Sequence, residues 1–151
     1  MEISIEKAEA ADIGALVKLL EVLFSIEQDF SPDATAQRDG LTLLLDTPDR
    51  AQVFIARHPV AGVVGMVSAQ LVISTAVGAP SVWIEDLVIA EQFRKQGLGK
   101  TLLEKAQEWA KSKGAKRVQL IADADNTSAL DFYNRLGWTQ TRLQAWNRKV
   151  G

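Results

Sequence analysis

Ile3 and Ile5 alternate with polar neighbours, the two-residue period of a strand, and Asp12 then stands where a helix cap belongs, ahead of Ile13, Leu16, Val17, Leu20, Leu23 and Phe24. A strand followed by an amphipathic helix is predicted. A second helix is predicted over Ala34 to Leu45, stopped by the turn-forming cluster Asp46-Thr47-Pro48-Asp49. Gln52 to Arg57, Val63 to Ser74 and Val82 to Ile89 are rich in Val, Ile and other apolar residues. Turns at His58-Pro59 and Gly78-Ala79-Pro80 separate them, so they read as consecutive antiparallel strands.

Around Gly99 the period changes. Leu98, Leu102, Ala106, Trp109 and Ala110 line one face of a helix that Gly114 ends. Val118 to Ile121 follows as a strand, and reaching it through a helix is a crossover, which makes that strand pair parallel. Ala129, Phe132, Tyr133 and Leu136 mark a short helix ending at Gly137, and Leu143 to Val150 is predicted as a last strand. The pattern is therefore an α/β (α+β) fold: a central, mostly antiparallel mixed sheet with one parallel pair, flanked by about four helices. With 151 residues and 47% hydrophobic content the chain suits a single domain over 1–151.

Composition narrows the chemistry. Cysteine is absent and His58 is the lone histidine, which removes disulfides, thiolate nucleophiles and Cys-type zinc sites and leaves no basis for a metal cluster. The chain starts without a basic and apolar leader pattern and has no long uninterrupted apolar run, so neither membrane insertion nor export is expected and the cytoplasm is the default location. Net charge is −2, which gives no reason to expect nucleic acid, but the charge is unevenly placed. Met1 to Asp33 holds eight acidic and two basic residues, whereas Arg94 to Arg117 holds eight basic residues against Glu104 and Glu108. One part suits a cation and another an anion.

The basic part opens with Arg94-Lys95-Gln96-Gly97-Leu98-Gly99-Lys100, a Gly-rich loop between a strand and a helix. Such a loop offers backbone N–H groups and a helix N-terminus to a phosphate. Gly99-Lys100-Thr101 looks like the tail of a Walker A loop, but that motif needs glycine where Arg94 stands. A dinucleotide fingerprint needs glycine where Leu102 stands, and a βαβ unit that the preceding meander does not supply. What remains is Arg-x-x-Gly-x-Gly.

That loop, with Trp83-Ile84-Glu85-Asp86-Leu87-Val88-Ile89 before it and Asn126-Thr127-Ser128-Ala129-Leu130-Asp131-Phe132-Tyr133-Asn134-Arg135-Leu136-Gly137-Trp138 after it, resembles the two conserved blocks of the GCN5-related N-acetyltransferase (GNAT) family. The element order also fits that fold, in which the parallel pair is splayed around the cofactor. The resemblance implies acetyl-CoA as acyl donor, no metal, and an amine acceptor. For the donor it implies backbone contacts from Lys95, Gln96, Gly97, Leu98, Gly99 and Lys100 to the pyrophosphate, with Arg94 opening the loop. Leu87 and Ile89 would pair with the pantetheine arm, an N–H near Leu87 or Val88 would face the thioester oxygen, and Asn126 and Ala129 would touch the cofactor.

For catalysis it implies Tyr133, the chain's one tyrosine, as general acid toward the departing thiolate. Glu85, taken ahead of Asp86, is the expected base; strand neighbours face opposite sides, so both reach one site only if the strand is bulged. The acceptor site is expected around Phe24-Ser25-Ile26-Glu27-Gln28-Asp29-Phe30, and the expected acceptor is a polyamine-like or amino-sugar amine, with a protein amine open. A homodimer stays open, and the alternative is a non-catalytic CoA-binding regulatory module. Trp109, Trp138 and Trp146 are read as packing, and His58, expected far from both blocks, is assigned no function.

Overall fold

The computed structural model describes residues 2–26 and 33–151. By internal contacts the chain divides into two compact units, one up to Leu120 and one over Ile121–Gly151.

The first unit is a five-stranded sheet in the order β1 (Ser4–Lys7), β2 (Ala51–His58), β3 (Gly62–Ser74), β4 (Ala79–Ile89), β5 (Val118–Leu120). The first four run antiparallel to their neighbours, and β4 and β5 run parallel, as the helical crossover between them requires. That crossover is α3 (Leu98–Ser112). Two more helices, α1 (Ile13–Ile26) and α2 (Ala34–Leu45), join β1 to β2. The expected mixed sheet with one parallel pair is present, and with α4 (Thr127–Arg135) in the second unit the described residues hold four helices.

Local chemistry explains where the helices start. Asp33 accepts a hydrogen bond from the Ala36 N–H at 3.1 Å and caps α2. Asp12, expected as a cap, lies one residue ahead of α1 and accepts from the Glu9 N–H at 2.9 Å. Its other carboxylate oxygen takes the Arg57 guanidinium at 2.9 Å, while Arg57 also bonds Glu6 at 3.0 Å, so one arginine on β2 ties down both β1 and the approach to α1.

Sheet register decides which residues line each face. Val53, Ile55, Met66 and Val88 cluster with Leu16, Val17, Leu20 and Leu41, the inward stripes of α1 and α2. Leu102, Leu103, Ala106, Trp109 and Ala110 form the buried stripe of α3, which contacts β2, β3 and β4. Each large side chain fully removed from water stabilises the unit by about 1.5–3 kcal/mol.

In the second unit α4 is capped by Asn126, whose side-chain oxygen accepts from the Ala129 N–H at 3.1 Å. It ends at Gly137, which adopts φ +87. The Gly137 N–H bonds the Asn134 carbonyl at 3.1 Å and the Trp138 N–H bonds the Tyr133 carbonyl at 3.0 Å. These are the two reverse bonds of a Schellman motif, and a left-handed residue is needed to make them.

Two expectations are corrected. Leu143 to Val150 forms no strand, and Leu143, Trp146 and Val150 are 82%, 92% and 95% exposed. Their apolar positions recur at three and four residues rather than two, so no single strand face gathers them. Trp146 is therefore not a packing residue, whereas Trp109 is 8% exposed and packs as expected.

Candidate functional site

The ladder between β3 and β4 contains the device that shapes the site. Met66 pairs with Val88 and Ser68 with Glu85, so two steps along β3 match three along β4. The extra residue makes a bulge, and Asp86 within it has φ +58, a conformation that Asp tolerates better than most side chains. Ser68, 1% exposed, supports it by donating to the Glu85 carbonyl at 3.1 Å and the Asp86 carboxylate at 3.3 Å. Nothing in the sequence marks Ser68 except a polar residue within an apolar strand.

The bulge meets the condition under which both acids reach one place. Glu85 and Asp86 both line a cavity of about 690 Å³. Leu20 of α1 and Leu41 and Leu44 of α2 supply part of its apolar wall, and Gln37 and Arg50 also border it. Glu85 is exposed, and its Oε1 accepts from the Trp83 indole N–H at 2.8 Å. Its Oε2 has no partner among the described residues. The expected acceptor stretch begins at Phe24, which borders this cavity, but Glu27 to Phe30 lie outside the described residues.

Beyond the bulge, β4 runs past its parallel neighbour. The pairing covers only Val82 to Ile84 against Val118 to Leu120, while β4 continues to Ile89. From Glu85 onward the β4 edge is thus released from β5. Leu87 and Ile89 are half-buried there, and Val88, 5% exposed, points into the core with Met66.

A turn at Glu91–Phe93 leads from β4 into the loop. Arg94 folds back so that its Nε donates to the Ile89 carbonyl at 2.9 Å, fixing the loop to the end of β4. His58 is not remote from this segment: its ring lies 5.0 Å from Phe93, and its Nδ1 accepts from the N–H groups of Val60 and Ala61. Lys95 has φ +63 and Gly97 φ +82, and Gln96 between them is not left-handed. Backbone that alternates in hand turns successive N–H groups toward one concave side, an anion-binding nest. The first N–H to find a helical partner is that of Thr101, bonded to Gly97 at 3.1 Å. Those of Lys95 to Lys100 have no acceptor among the described residues, and the N-terminal end of a 15-residue helix adds positive potential to them.

The second unit holds the remaining expected residues. Asn126 and Ala129 bond each other across the start of α4, as above. Tyr133 is half-buried, with its ring edge-on to Phe132 at 5.3 Å and to Trp138 at 5.9 Å. The structure thus brings Glu85, Leu87, Val88, Ile89 and the loop together in one unit, and Asn126, Ala129 and Tyr133 together in the other.

A model of the Acetyltransferase (GNAT) family matches residues 17–138, which takes in β4, the loop, α3 and α4. The chain belongs to this family. An uncharacterized N-acetyltransferase of Methanocaldococcus jannaschii is 35% identical over 68 residues, covering 44% of this chain and 30% of that protein. An aminoglycoside N(6')-acetyltransferase of Serratia marcescens is 30% identical over 72 residues, covering 48% of this chain and 49% of that one. The chain thus spans between about a third and a half of these relatives. An aminoglycoside N-acetyltransferase crystallised with CoA superposes with a TM-score of 0.81 at 20% identity, over 98% of this chain and 95% of that one, which establishes a shared fold. The GNAT match takes in the bulge, the released edge and the nest.

Proposed function

We propose that this chain transfers the acetyl group of acetyl-CoA to a small amine by direct attack within a ternary complex. The observation that carries the reading is the nest: six successive N–H groups, Lys95 to Lys100, lacking acceptors in the described chain and set at a helix N-terminus, which suits a pyrophosphate. The β4 edge beyond Ile84 fits an extended pantetheine arm paired as a strand would be, through Leu87 and Ile89. Asn126 and Ala129 are further donor contacts in this reading.

In this reading Glu85 takes the proton from the acceptor ammonium, directly or through a water, with the Trp83 indole holding one carboxylate oxygen so that the other stays available. An N–H at Leu87 or Val88 polarises the thioester oxygen. Tyr133 protonates the leaving thiolate, its ring held by Phe132 and Trp138. With no cysteine in the chain, a covalent thioester route through the enzyme is absent. The proposed acceptor is a polyamine-like or amino-sugar amine, the latter in keeping with the aminoglycoside acetyltransferases among its relatives; a protein amine is the second choice.

The test is a thiol-release assay with acetyl-CoA and a panel of amines. Because the chain lacks cysteine, a thiol dye reports free CoA alone. Turnover with at least one amine, reduced at least tenfold by Glu85→Gln, is expected. Acetyl-CoA binding without release for any amine would replace this reading with a CoA-binding regulatory module.

A further inference from the structure

The cavity contains a polar group that the proposed chemistry does not use. Gln37 sits on α2 at the helical spacing of Leu41 and Leu44, where packing alone would place Leu or Met. It is 7% exposed, and neither its Nε2 nor its Oε1 has a hydrogen-bond partner among the described residues. A buried amide is stable only when its polar groups are paired, and the cavity is where a ligand can pair this one. Gln37 borders the same cavity as Glu85 and Asp86.

We infer that Gln37 recognises the acceptor, pairing with an uncharged group that both donates and accepts hydrogen bonds, a hydroxyl or an amide, on a molecule whose amine faces Glu85 and Asp86. This rests on the proposed acetyl transfer and narrows its substrate class. A carboxamide offers one acceptor and one donor face, and a hydroxyl or amide answers both, whereas a second ammonium answers only the carbonyl and leaves the NH₂ unpaired. The charged side chains bordering the cavity among the described residues are Glu85, Asp86 and Arg50, and the two acids are there for the amine. The inferred acceptor is therefore an amine that also bears a hydroxyl or amide, an amino alcohol or amino sugar in type.

The experiment compares wild type with Gln37→Met, which keeps the shape and removes both polar atoms, and with Gln37→Leu should Met fail to fold. Probes are matched pairs differing in one group, 4-aminobutan-1-ol against pentylamine and glucosamine against its deoxy analogues, with putrescine as the diamine. Wild type is expected to favour the hydroxyl-bearing member in kcat/KM by about tenfold to a hundredfold. In Gln37→Met that preference falls to within about threefold and acetyl-CoA affinity is unchanged. An equal preference in both proteins, or putrescine as the best substrate, overturns the inference. Ligand-induced melting shifts with the same pairs need no turnover. If they distinguish the pair in wild type alone while no amine is acetylated, acetyl transfer fails and the recognition stands; if neither rate nor shift distinguishes it, the recognition fails.

Discussion

Replacing Ser68 by alanine tests the bulge on which the geometry of the acids depends. The substitution removes a single oxygen from a side chain that is 1% exposed, so no void comparable to a methyl group is left. What disappears is one hydroxyl proton shared between the Glu85 carbonyl at 3.1 Å and the Asp86 carboxylate at 3.3 Å. A hydrogen bond to a charged group contributes about 1.5–3 kcal/mol and a neutral one about 0.5–1.5. One proton divided between two acceptors at these lengths belongs low on both scales, about 1–2 kcal/mol. For a chain of this size each kcal/mol moves the melting temperature by about 2–4 °C, so Ser68→Ala should melt about 2–8 °C below wild type. Asp86→Gly removes both the carboxylate and the left-handed strain of about 1 kcal/mol. In that background the cost of Ser68→Ala should fall to that of the carbonyl bond alone. Calorimetry on the four proteins of this cycle gives the coupling. A change under about 1 °C, or strict additivity, would refute the support assigned to Ser68.

Three further outcomes are expected. Tyr133→Phe lowers turnover by about ten- to a hundredfold with acetyl-CoA affinity little changed, measured by steady-state kinetics and calorimetric titration, and unaltered turnover would remove Tyr133 from the mechanism. Gly97→Asp abolishes acetyl-CoA binding, because a side chain at φ +82 distorts the nest and its charge repels the pyrophosphate; retained affinity would count against the loop assignment. The Ser4 hydroxyl, and after it the Arg57 guanidinium, hold the Glu6 carboxyl below its usual 4.5. A lowered folded value stabilises above 4.5 and is lost as pH falls through it, so the melting-temperature gap between wild type and Glu6→Gln should be open at pH 7 and close below pH 4.5. A gap independent of pH would show that this pairing has no linkage to folding.

The elements were legible where period and punctuation agreed. The stripe from Leu102 to Ala110, the run of apolar strands and the glycines at 114 and 137 give α3, β2 to β4 and both helix ends within a few residues. The loop was legible as a glycine-rich helix entry because glycine spacing and position before a helix are local properties. The bulge was not, since an extra residue in β4 exists only relative to β3, and the sequence of β4 contains no partner. Gln37 was hidden for a related reason: on α2 it reads as a tolerated polar residue until the cavity beside it is known. Leu143 to Val150 misled because apolar content was read as a strand without asking what ladder would complete it.

Gly137 stops α4, and the same stop sets the pose of a ring. The Schellman bonds place Trp138 back over Tyr133, five residues earlier, so the aromatic contact at 5.9 Å is an outcome of how the helix ends. Chain termination and phenol orientation are therefore one inherited trait at this point. A β-carbon at 137 meets nothing within 4 Å, yet at φ +87 it strains the turn and loosens the ring with it. With Tyr133 in its proposed role, changes at this glycine are expected to lower turnover, and a mutational screen that scores activity alone would count it among the chemical residues although it has no side chain.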